Sequence, residues 1–126
     1  MQRTGFLTFS LTASTAITKR RFVKFGAADG TCVQAVDGAS HICGVSSDLD
    51  SDVGENATVF GVGNQVDIEY GGNVTRGDPL TADAQGRAIT AAPAAGANSY
   101  IGGFANKSGV LGDIGSVTIA PCRIQG

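Results

Sequence analysis

The chain has 126 residues, a formal charge of −2 from nine basic and eleven acidic side chains, nineteen glycines, three cysteines and no tryptophan. That length fits one domain, and the charge balance excludes a general polyanion-binding surface, so nucleic acid is not an expected partner. Eleven Val and eight Ile against five Leu favour pleated strands over helices, and the glycines break any long helix.

In chain order, Arg3 followed by the Phe6-Leu7-Thr8-Phe9-Ser10-Leu11 run faintly imitates a secretory leader, but hydroxyl residues interrupt it. Over residues 7–13, Leu7, Phe9, Leu11 and Ala13 alternate with Thr8, Ser10 and Thr12, which predicts a strand. As residues 1–14 precede the repeated units described below, they read as an ordinary first strand or as a projecting arm able to pair with another subunit. The basic run Lys19-Arg20-Arg21 reads first as a solvated start of a strand or a charge-guarded edge, and secondly as a contact for an acidic protein surface. Further strands are predicted at 22–25, 31–36, 42–45, 57–61, 65–70, 80–82, 88–91, 100–104, 116–120 and 122–124, separated by Gly, Asn, Asp and Ser turns. So many short strands indicate an all-β barrel or sandwich.

The two halves echo each other. Ile17-Thr18-Lys19 answers Val74-Thr75-Arg76 at an offset of 57 (74 − 17), and Asp29-Gly30 answers Gln85-Gly86 at 56 (85 − 29). Ile42-Cys43-Gly44-Val45 answers Ile101-Gly102-Gly103-Phe104 at 59 (101 − 42), and Gly54-Glu55 before Val59 answers Gly112-Asp113 before Val117 at 58 (112 − 54). Ordered matches at nearly constant offset mark an internal repeat, with units near 17–73 and 74–124 inside one domain of residues 15–126. Each unit is too small to bury a sufficient core alone, so the halves are expected to share one.

Motifs for chemistry are weak. Asp48-x-Asp50-x-Asp52 opens like a calcium loop, but Val53 and Val59 stand where its glycine and bidentate glutamate belong, so a solvated acidic loop is the preferred reading. The sole histidine, His41, lies two residues before Cys43, with no third orienting group in view. Cys32, Cys43 and Cys122 form no metal-ligand spacing and read as free, mostly buried thiols of a reducing compartment. Gly61-Val62-Gly63 lacks the sequel of a phosphate loop. No cofactor, metal, membrane span or small-molecule substrate is expected, and the protein is expected to be soluble.

Ile17-Thr18 before Phe22-Val23-Lys24, Asp29-Gly30, Gly44-Val45, Gly54-Glu55 before Thr58-Val59, Gly77-Asp78-Pro79-Leu80, and Ala82-Asp83 before Gly86 together resemble the capsid decoration, or cement, proteins of tailed bacteriophages. Ile101-Gly102-Gly103-Phe104 and Val117-Thr118-Ile119 extend the resemblance to roughly residues 15–124. It implies a compact β domain without catalysis, commonly a homotrimer, bound outside the lattice of a phage major capsid protein and assembled in the host cytoplasm. Residues 1–14, the cysteines and the acidic loop depart from that pattern. Phe6, Leu7, Phe9, Leu11, Lys19, Arg20 and Arg21 form the expected partner-binding set. A fibre-base, adhesion or glycan-binding β module is the alternative, and a small hydrolase using His41, Cys43 or an acidic pair a remote one.

Overall fold

A computed structural model describes residues 8–126. Ten strands run β1 (Thr8–Ala13), β2 (Phe22–Phe25), β3 (Thr31–Gln34), β4 (Ile42–Ser46), β5 (Asn56–Phe60), β6 (Gln65–Glu69), β7 (Pro79–Ala82), β8 (Ala88–Thr90), β9 (Asn98–Ala105) and β10 (Ile114–Gln125). The first five close into a barrel, β1-β3-β2-β4-β5, and the rest form a sheet ordered β6-β10-β9-β7-β8. The all-β expectation holds, in the form of one barrel and one barrel-like sheet. Of the two uses left open for the N-terminal segment, Thr8–Ala13 takes the strand, pairing with β5 on one side and β3 on the other.

The ladders of the two halves coincide in register. Phe9 faces Val59 as Val66 faces Val117, and Thr12 faces Asn56 as Glu69 faces Ile114, with offsets of 57 (66 − 9) and 58 (117 − 59). Val23 pairs with Gln34 as Leu80 pairs with Thr90, and Phe22 with Val45 as Pro79 with Phe104. Val45 meets Phe60 as Phe104 meets Thr118, and the isolated bridge Ile17–Ser51 is repeated as Val74–Gly109. Even the parallel pairing of Ala13 with Cys32 recurs, reduced to the single bridge Tyr70–Ala88 that links the two edges of the second sheet. The offsets read from turn motifs thus carry through every ladder. They also reach upstream to β1, whose counterpart is β6.

Alternation explains which face each strand buries. In β6, Val66 and Ile68 turn inward while Gln65 and Asp67 stay exposed, and in β1 Phe9 and Leu11 pack against the barrel core between exposed Thr8 and Ser10. That core is Ala13, Ile17, Val23, Cys32, Cys43, Ala57 and Val59. A second cluster draws on both halves, with Phe22, Ala35, Ile42 and Val45 from the first packed among Ile68, Tyr70, Leu80, Val117 and Ile119 of the second. The halves therefore share apolar packing. Their contact is unlike on its two sides: Phe22 enters the space that Gly102 leaves open, and Phe22 N donates to Gly86 O at 2.8 Å. The corresponding Pro79 and Gly30 make no such pair: Pro79 has no backbone N–H to donate, and Gly30 is exposed where Gly86 is buried.

Candidate functional site

Arg21 lies where β2 begins, beside the junction of the halves. Its guanidinium pairs with Glu69 at 3.2 Å and donates to Gln85 O at 2.8 Å, so its charge is used within the molecule. Gln34 donates to the same carbonyl at 2.6 Å. Arg20 is the one non-glycine with positive φ (56°) among the described residues; its N donates to Ser47 O and its carbonyl accepts from Glu69 N. Lys19 is exposed, and its backbone N donates to Asp50 Oδ1 at 2.9 Å.

Phe9 and Leu11 are half-buried in the barrel wall, and the Phe9 ring meets Phe25 edge-on at 6.3 Å. Phe6 and Leu7 lie outside the described residues. Sequence reasoning grouped these residues as one contact set. The structure places Phe9 and Leu11 in the barrel wall and the basic run on the connection into β2.

The acidic loop is a scaffold for turns. Asp50 accepts from Lys19 N, and Glu55 Oε1 accepts from Asp52 N at 2.7 Å. Among the described residues no group of three or more His, Cys, Asp or Glu side chains is placed to hold a metal ion.

His41 and Cys43 are used separately. His41 is exposed, its ring 4.0 Å from that of Tyr100 and nearly perpendicular to it. Cys43 is buried in the barrel, donates to Val23 O at 3.4 Å, and burial, then the neighbouring Cys32, pushes its thiol up to about 12. A nucleophilic cysteine needs the opposite shift, toward thiolate near neutral pH. Tyr70 is likewise raised by burial, and its hydroxyl donates to Lys107 O at 2.6 Å, closing the end of the second half. A shallow groove of about 300 Å³ runs between the halves, lined by Phe25, His41, Ile42, Tyr100, Pro121 and Arg123 among others.

What the sequence reading missed is the apolar surface on two corresponding connections. Leu49 and Val53 stand exposed between β4 and β5, as do Val110 and Leu111 between β9 and β10. The signal was present: an apolar residue directly precedes Gly54 and Gly112, the glycines of the repeat itself.

Side chains committed to turns and to packing, with apolar groups exposed on two corresponding connections, define an all-β scaffold. Comparison with solved structures finds the same fold in the crystal structure of the head fiber gp8.5 N base in bacteriophage phi29, at TM-score 0.68 and 16% identity, covering 97% of this chain and 100% of that chain. Comparison with curated proteins gives no match. The phage cement protein model matches residues 1–119. The chain belongs to the phage cement protein family and is a structural component of the virion exterior.

Proposed function

We propose that this chain binds the outer surface of a phage head and holds neighbouring major capsid protein subunits together, without catalysing any reaction. The family match over nearly the whole chain carries this reading. The energetics need no chemistry: a protein that binds the assembled lattice but not its free subunits stabilises the lattice by mass action. Assembly as a homotrimer in the host cytoplasm, with several subunits engaged at once, makes the later contacts intramolecular and raises avidity. No cofactor, nucleic acid, membrane or small-molecule substrate enters this scheme.

The test compares expanded heads with and without the purified protein. Decorated heads are expected to open at higher temperature or denaturant, in proportion to occupancy; equal resistance at saturating protein would refute the reading.

The N-terminal segment enters the proposal in a form the barrel constrains. Because β1 supplies a barrel strand, removing residues 1–14 would open the barrel, whereas removing residues 1–7 leaves β1 in place and isolates the contribution of Phe6 and Leu7. Weaker decoration by the shorter deletion would assign those residues to the capsid contact. A second reading, a base that anchors a head fibre, is favoured by the likeness to the phi29 head fiber base. Fibre density rising from each decorated position would distinguish it.

A further inference from the structure

The β4–β5 and β9–β10 connections are the same turn built twice. In the first, Asp52 N donates to Glu55 Oε1 (2.7 Å) and Glu55 N to Asp52 O (3.0 Å). In the second, Val110 N donates to Asp113 Oδ2 (3.0 Å) and Asp113 N to Val110 O (3.0 Å). Gly54 and Gly112 both take φ of 88°, and each N donates back to the body, to Ala13 O and Tyr70 O respectively. Turns tied down at both levels lose little freedom when they bind.

What these turns hold outward is apolar. Leu49 is 70% and Val53 67% exposed on the first, Leu111 60% and Val110 54% on the second, and Val53 and Leu111 occupy corresponding positions. Turn tips ordinarily carry polar or glycine residues, yet Val53 and Leu111, the one apolar pair at the same place in both halves, are each more than half exposed. Their surroundings differ in charge. Residues 47–55 carry Asp48, Asp50, Asp52 and Glu55, which outnumber the neighbouring Lys19 and Arg20, whereas Arg76 and Lys107 near the second turn outnumber its Asp113.

We propose that the two tips are the gripping contacts of the shell-binding function described above, on which this inference rests. Val53 with Leu49 enters an apolar recess with a basic rim on one capsid subunit. Leu111 with Val110 enters a recess with an acidic rim on the adjoining subunit. A single molecule then spans a subunit junction through two unlike sockets, and the duplication supplies bivalency within one chain.

The test measures binding to purified expanded heads of the phage that encodes the chain, for wild type, V53S, L111S, the double variant, and V36S as an exposed apolar control away from both tips. All four variants are expected to keep the wild-type melting temperature. Each tip variant is expected to lose about tenfold in affinity, as central apolar anchors do. The double variant is expected to lose retention, and V36S to bind normally. Wild-type affinity in the folded double variant would overturn the tips while leaving the capsid-binding reading intact, and loss confined to one tip would overturn the bridging. Failure of the wild type to bind would overturn both.

Discussion

Where the first half closes over Ala13 and Ala57, the second sets Tyr70 against Gly115 at the corresponding places, 57 (70 − 13) and 58 (115 − 57) residues on. A Cβ on Gly115 would run into the Tyr70 ring, and one on Gly109 would meet it at 2.7 Å. The same exchange of volume recurs at the junction, where Cys43 fills the first barrel but its counterpart Gly102 leaves room for Phe22 and Ile42 of the other half. One set of ladders thus supports two core solutions. The first half is a closed barrel filled by its own side chains, and the second packs Ile68, Tyr70, Leu80, Val117 and Ile119 together with Phe22 and Ile42 of its neighbour. Register is set by strand pairing and turn chemistry, whereas filling is set by volume, so the halves diverge in the second while keeping the first.

The largest effect that sharpens this contrast is at Tyr70. Tyr70→Ala is expected to cost about 3–5 kcal/mol in urea unfolding, as loss of a large buried aromatic does. Gly115→Ala alone is expected to cost about 1–3 kcal/mol through overpacking, and little in the Tyr70→Ala background, where the second half acquires the alanine pair of the first. Additive losses in that cycle would show that the ring does not set the glycine.

A smaller effect lies at the start of β2 and β7. Arg20 holds a left-handed φ of 56° where its counterpart Gly77 has 94°. Arg20→Gly is expected to stabilise the protein by about 1 kcal/mol or less, because strain relief is partly offset by unfolded-state entropy, and Gly77→Arg to destabilise it by about 1 kcal/mol. Thermal midpoints moving the same way for both would break the correspondence.

The least effect near neutral pH comes from the thiols. Burial raises Cys32, and Cys43 to about 12, above the ordinary 9.0, so the folded thiols stay protonated where the unfolded chain ionises. Their contribution is therefore complete below pH 9 and is lost progressively as pH rises toward 12. Ala88 and Gly102 hold the corresponding positions in the second half, so Cys43→Ala is expected to flatten the alkaline decline in stability. A thiol reagent is expected to modify exposed Cys122 in the native protein and Cys32 and Cys43 only after unfolding.

Much of the fold is legible in the sequence because glycine turns and β-branched alternation are local signals. The four offsets found from Ile17, Asp29, Ile42 and Gly54 are those of the ladders. The kinship of β1 with β6 was not legible, since TFSLTA and QVDIEY share alternation but no residue at any position. Nor was the role of Arg21, whose partners Glu69 and Gln85 are set by docking of the halves. Phe9 and Leu11 show how an alternating apolar strand reads alike whether it faces a partner or its own barrel. The exposed tips were not legible because Val53 and Leu111 fall in loops between the predicted strands, where sequence does not show which loop side chains point outward.

Cryo-electron microscopy of the virion tests the central claim most directly. Density matching two fused five-stranded units, seated outside the shell across the junction of adjoining capsid subunits, is the predicted result. A shell surface without such density, or the protein found only inside the head, would contradict it.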